Sequence, residues 1–204
     1  MGVIMPMIGQ AIFRYVIGSI ITSVLMRSLA PAPKGPTFGG GNKRNRGYNV
    51  TQTGAALDHQ IIYGKMRVGA VRVFDGTTGG GNVELHRVLA FAGHEIDSFH
   101  EIYINDEIAT LDSSGNVTSP SRYDDKITIK QHLGAADQTA DSDLVSAVSD
   151  WTNAHRLRGI AYLYVKLTYD NDAFPNGVPE ITAVVKGKKV YDPRNTTTAW
   201  SDNP

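Results

Sequence analysis

Hydrophobic and polar positions divide the chain into three stretches of different rhythm. Residues 3 to 29 are the most apolar. Within them Gln10, Arg14, Gly18/Ser19, Thr22/Ser23 and Arg27 return at about helical spacing, while Ile12, Val16, Ile17, Ile20, Ile21, Val24 and Leu25 fill the other face. The pattern predicts an amphipathic helix within residues 1–30, ended by Pro31 and Pro33. So wide an apolar surface has to be buried, in the chain's own core, in copies of itself or in another protein. The seven apolar residues are therefore candidate assembly contacts. Two other readings stand beside this one. A membrane span needs about 20 apolar residues, and the stretch between Arg14 and Arg27 is only Tyr15 to Met26. A secretory signal would use the same stretch and cleave after Ser28-Leu29-Ala30, with Arg27 where a neutral residue is expected.

The second stretch, residues 31–47, reads PAPKGPTFGGGNKRNRG, a Pro/Gly-rich linker or extended arm. Its basic cluster, Lys43, Arg44 and Arg46, suits either a solvated loop or a contact with an acidic neighbour.

From Tyr48 to residue 195 the rhythm is that of strands. Asp58–Tyr63 and Lys65–Phe74 are predicted strands separated by Gly64, with Gly69-Ala70 shifting the phase of the second. Asp75–Asn82 is a predicted hairpin loop, and Val83–Ala92 the returning strand. Further strands are expected at Ser98–Ile104, Glu107–Leu111, Lys126–His132, Ile160–Tyr169 and Ile181–Tyr191. Asn105-Asp106 and Ser113–Asn116 mark turns. One helix is expected after Asp141 or Ser142, placing Leu144, Val145, Val148 and Trp151 on one face and His155 and Arg156 near its end. In Ile160–Tyr169 the residues Tyr162, Tyr164, Lys166 and Thr168 form one face, expected to meet water or a partner. Gly159–Arg194 as a whole reads as a closing hairpin around a loop carrying Phe174, Pro175, Asn176, Gly177 and Pro179. The fold class is mainly β with one or two helices (α+β), a β-barrel or sandwich-like domain over residues 48–195. Residues 196–204 begin a connection onward.

Composition narrows the function classes. At 204 residues there is room for one well-packed domain and an appendage. Lys+Arg and Asp+Glu each total 20, and a neutral chain is not a general nucleic-acid or membrane-surface binder. The absence of cysteine excludes disulfides, thiolate metal sites and cysteine nucleophiles.

The search for chemistry is largely negative. His94-Glu95 would open a zinc-binding HExxH motif only with histidine at position 98, which is Ser98. His86, His94 and His100 remain either a metal cluster or separate surface and turn histidines. Asp170-Asn171-Asp172 offers oxygens to calcium, but Ala173-Phe174-Pro175 follows where a calcium loop needs further ligands and a glycine, and a polar turn accounts for it as well. Gly79-Gly80-Gly81-Asn82 lacks the Gly-Lys-Ser/Thr of a phosphate loop. The carboxylate pairs Asp124-Asp125 and Glu101/Asp106 fit surface charge better than a glycosidase cleft. No G-x-S-x-G nucleophile motif is present. The expectation is a protein without catalytic residues, cofactor or metal.

Three segments carry a resemblance: NVTQTGAALDHQIIYGKMRVGAVRVF (Asn49–Phe74), HRVLAFAGHEIDSFHEIYINDE (His86–Glu107) and GIAYLYVKLTYDNDAFPNGVPEITAVVKGKKVYDPR (Gly159–Arg194). In this order they resemble the tail-tip attachment J proteins of long-tailed phages, also called host-specificity or central tail hub proteins. The resemblance covers about Asn49 to Pro204, with Ala70 standing where a second glycine is common. It implies a homotrimeric hub at the end of the tail tube, acting in host attachment and DNA passage. Implied partners are the distal tail protein, other tail-tip proteins and the tape measure protein, with receptor contacts in later regions. The implied location is the virion tail tip, after assembly in the host cytoplasm. Family members are much longer, so the chain is expected to be an N-terminal portion. The alternative is a secreted or envelope-anchored β-sandwich binding module for a carbohydrate or protein ligand, with Tyr162, Tyr164 and Trp200 stacking on sugar rings.

Overall fold

A computed structural model describes residues 51–54, 57–194 and 197–199, all within one compact unit, Asn45–Pro204. The expected assembly residues Ile12, Val16, Ile17, Ile20, Ile21, Val24, Leu25, Lys43, Arg44 and Arg46 lie outside the described residues, as does Trp200.

The strands are β1 (Lys65–Gly69), β2 (Val71–Thr78), β3 (Glu84–Ala92), β4 (Ser98–Ile104), β5 (Glu107–Leu111), β6 (Val117–Ser119), β7 (Ile127–His132), β8 (Ala161–Thr168), β9 (Ile181–Lys186), β10 (Val190–Asp192) and β11 (Thr197–Ala199). Among the described residues one α-helix, α1 (Ser142–Ala147), precedes β8. A four-stranded sheet has the order β2-β3-β8-β7 and a five-stranded sheet the order β1-β9-β4-β5-β6, while β10 and β11 pair separately. The pairings within all three are antiparallel.

Between the two larger sheets lies the main core. Leu89, Phe91, Ile127, Ile129, Leu163 and Val165 come from the four-stranded sheet, and Val68, Phe99, Ile104, Ile181, Ala183 and Val185 from the other. Along β3, β7, β8 and β9 these positions recur every second residue, so one face of each of these strands is withdrawn from water. The sheets are joined along both edges. At one, the chain bends at Ala70 from β1 into β2, and Gln52 covers the corner: its N–H donates to the Ala70 carbonyl (2.7 Å) and its carbonyl accepts from Arg72 (2.9 Å). At the other, Asn116 bridges to Thr128, and the Ile129 N–H donates to the Gly115 carbonyl (2.7 Å). The domain is a flattened barrel, mostly β as the sequence predicts, and closing the edges removes free templates for aggregation.

Several expectations need correction. Asp58–Tyr63 is not a strand; its backbone is bonded to loops instead, with the Gln60 carbonyl accepting from Gly93 and the Ile62 carbonyl from Lys188. The break in Lys65–Phe74 falls at Ala70, where the chain changes sheets. β2 runs on to Thr78, so the glycine loop is shorter than expected. The run expected at Ile181–Tyr191 is strand to Lys186 and again from Val190; between them, at Gly187, the backbone passes so close to Ile62 that a Cβ would stand 2.1 Å from its carbonyl oxygen. Gly159–Arg194 is not a hairpin: β8 is flanked by β3 and β7, β9 by β1 and β4, and the loop between them crosses from sheet to sheet. The helix is shorter than expected. Val148 turns to extended geometry (φ −126°, ψ 119°), leaving His155 and Arg156 beyond its end.

Candidate functional site

The outward face of the four-stranded sheet is built from every second residue of its strands. Register places Phe74, Val88, Tyr164 and Lys130 in one row across the sheet, and Gly76, His86, Lys166 and Thr128 in the next. Phe74, Val88 and Tyr164 of the first row, with the Ala90–Tyr162 pair below them, are covered by Leu144, Val148 and Trp151. Trp151 lies against Phe74 at a ring-centre distance of 5.1 Å. Tyr162 and Tyr164 are thus fully buried, which corrects the expectation that they face water or stack on a ligand.

The covering segment is anchored at Asp141. One carboxylate oxygen accepts from the amides of Asp143 (3.1 Å) and Leu144 (3.0 Å), capping α1. The other lies 2.8 Å from His132 Nε2, and His132 stacks on Tyr162 with 4.3 Å between ring centres. Burial by itself would raise the Asp141 pKa; the bonds from His132 and the Leu144 amide outweigh it and hold the carboxyl below its usual range.

On the side of α1 that carries Asp143, Ser146 and Ala147, a polar groove of about 550 Å³ opens, lined also by Glu84, His86, Asn116, Thr128, Lys130, Tyr164 and Lys166 among others. The β5–β6 turn supplies its rim. Asp112 accepts from the amides of Ser114 and Asn116 (both 2.8 Å). Gly115, at φ +89°, passes so close to β7 that a Cβ would lie 2.5 Å from the Ile129 carbonyl oxygen. That approach sets Asn116 beside Thr128, whose hydroxyl donates to Asn116 Oδ1 (2.9 Å).

His86, 1% exposed, forms the floor. The Thr78 hydroxyl donates to Glu84 (3.0 Å) and stands 2.7 Å from His86 Nε2; with its one proton on Glu84, it accepts from an Nε2–H. Nδ1 is then the acceptor for the Tyr164 hydroxyl at 2.8 Å. Burial lowers the His86 pKa, with Glu84 opposing and Lys166 reinforcing. Burial likewise raises that of Tyr164. Above the floor, Lys130 pairs with Asp143, and Lys166 stands 3.7 Å from Glu84. The groove thus holds two ammonium groups and two carboxylates, with hydroxyl and amide groups between them.

No protein-family model and no curated protein matches the chain. A solved structure described as the virion of a native gene transfer agent (GTA) particle is similar to it, with 18% sequence identity and a TM-score of 0.49. The match covers 92% of this chain and 39% of that one.

The other sequence candidates are dispersed. His94 accepts from the Ile62 amide through Nε2 (2.8 Å) and donates from Nδ1 to the Glu95 carbonyl (2.7 Å), whereas His100 is exposed. Asp170 accepts from the amides of Asp172 (3.0 Å) and Ala173 (3.1 Å) and pairs with Lys126 (3.2 Å), the geometry of a capped turn. Among the described residues no three His, Cys, Asp or Glu side chains are grouped to hold a metal. Glu101 accepts from the Tyr103 hydroxyl (2.7 Å) and Asp106 pairs with Arg67, so these carboxylates serve separate contacts. The Asn82 amide closes a turn onto Gly79 (3.2 Å).

Sequence reading missed the groove, although a signal for it exists. Glu84 and His86 on β3, Thr128 and Lys130 on β7, and Lys166 and Thr168 on β8 are polar at alternate positions. Only the register shows that these three pairs lie side by side.

Proposed function

We propose that the chain is a structural subunit of a phage tail tip, part of a trimeric central hub that joins tail tube and tip and takes part in host attachment and DNA delivery. One observation carries this reading. Each of the three segments that resemble hub proteins supplies one strand to each of the two larger sheets: β2, β3 and β8 lie side by side in one, and β1, β9 and β4 in the other. Segments scattered along the chain thus form a continuous two-layered wall, as a shared structural module requires. The intervening β5, β6, β7 and α1 extend the far edges and cover part of the outer face.

In this role the protein works by assembly rather than catalysis. Its partners are copies of itself, the distal tail protein, other tail-tip proteins and the tape measure protein. The Ile12–Leu25 face and the cluster Lys43, Arg44 and Arg46 supply contacts.

Sedimentation of the full chain with purified tails tests the proposal. The expected result is retention of Met1–Ala30 and co-sedimentation as a ring of three. Ile17→Asp with Ile21→Asp is expected to abolish assembly while the β domain stays folded. A mature chain that begins after Ala30 and remains monomeric would favour the secreted or envelope-anchored binding module instead.

A further inference from the structure

The groove beside α1 has a chemistry that the assembly role does not use. β8 is buried on both faces from Ala161 to Val165 and then turns polar on its outward face at Lys166 and Thr168. β3 is likewise buried at Val88 and carries Glu84 and His86 farther along the same face. Apolar residues at these positions would have continued the face that Leu144, Val148 and Trp151 cover. Instead polar residues from β3, β7 and β8 converge, and the β5–β6 turn adds Asn116.

We propose that this groove binds an uncharged oligosaccharide, a proposal that does not rest on the hub reading. The volume of about 550 Å³ lies within the usual range of small-ligand sites. The charge pattern selects the ligand. Each lysine already faces a carboxylate, so the charges of the groove balance and an anion meets no net positive field. A cationic ligand has the converse problem. A sugar hydroxyl avoids both, because it donates and accepts at once. At 3.7 Å the Lys166–Glu84 pair is too wide for a direct hydrogen bond, and a hydroxyl accepting from the ammonium and donating to the carboxylate bridges it without separating charge. Asn116 and Thr128 supply further polar partners, and Thr128 Oγ1 retains acceptor capacity after donating to Asn116. A docking peptide would need apolar pockets for its anchoring side chains; here the floor is the hydrogen-bonded His86 and Tyr164.

The test uses the full chain on an array of linear di- and trisaccharides of glucose, galactose, mannose and N-acetylglucosamine, with uronic-acid and glucosamine oligomers as charged arms. Titration calorimetry then follows with the tightest binder. At least one neutral sugar is expected to bind, and Asp143→Asn and Lys166→Gln are each expected to weaken it about tenfold. Lys65→Gln, on the other sheet, leaves binding unchanged. Thr128→Ala serves as a replacement if either groove variant melts early. Absence of binding to every neutral sugar, preference for a charged arm, or affinity indifferent to the groove variants would overturn the proposal. So would a change in self-association, without sugar, on mutating the groove: it would mark an interface between copies. None of these outcomes depends on whether the chain joins a tail, so the two proposals fail separately.

Discussion

The two halves of the outer face of one sheet have opposite fates. Around Val88, Tyr162 and Tyr164 the face is apolar and aromatic, and Leu144, Val148 and Trp151 close it from water. Farther along the same strands, around Glu84, Lys166 and Thr128, it is polar and open. The halves share strands and register, and they differ in their outward side chains and in the segment that covers one of them. The covered half stabilises the fold by burial, whereas the open half contributes little net stability and remains available to a ligand.

The largest effect that would test this contrast lies in the covered half. Trp151→Ala should cost about 3–5 kcal/mol in urea unfolding, because the side chain is buried against Phe74. A loss near zero would mean that the helical cover is dispensable. Next comes the boundary between the halves. Removing the imidazole in His86→Ala leaves the buried Tyr164 hydroxyl without its partner, at a cost of about 1–3 kcal/mol. Asp141→Ala should cost about 1–2 kcal/mol by removing the cap of α1, and His132 loses its partner as well.

Acid should probe the same boundary. The folded His86 pKa lies below its ordinary value near 6.5, so between the two the unfolded chain binds a proton that the folded chain refuses. The stabilisation is complete above about pH 6.5 and is lost as pH falls through that value towards the folded pKa. Melting temperature should therefore drop over this window, and His86→Gln should flatten the drop. An unchanged slope in the variant would show that His86 is not responsible. Asp141, whose pKa is also lowered, acts later: its contribution is present above the ordinary aspartate value near 3.9 and lost as pH falls through the lower folded one. The smallest effect is expected in the open half, where Lys166→Gln should change stability by less than about 0.5 kcal/mol.

Much of this layout is legible in the sequence where local signals suffice. Ser98–Ile104 and Glu107–Leu111 occur as predicted, and their turn at Asn105-Asp106 takes positive φ at both residues (47° and 66°), as a two-residue hairpin with its usual twist requires. Asp141 is legible as a cap because its carboxylate meets the amides two and three residues on. What escapes is non-local. Alternation separates Tyr162 and Tyr164 from Leu163 and Val165, but it cannot show that a helix covers the tyrosines. Likewise the runs containing β8 and β9 look like hairpin partners until both edges of each are found occupied by other strands. The groove is the extreme case, since Glu84, Thr128 and Lys166 meet only through register, Asn116 joins them by one tight turn and Asp143 by the placement of α1.

The central claim, that this two-sheet module belongs to a tail tip, is tested most directly by immunoelectron microscopy of particles with an antibody against residues 45–204. The account predicts label at the distal end of the tails. Intact tails without label, with the antigen confined to a free monomeric fraction, would contradict it.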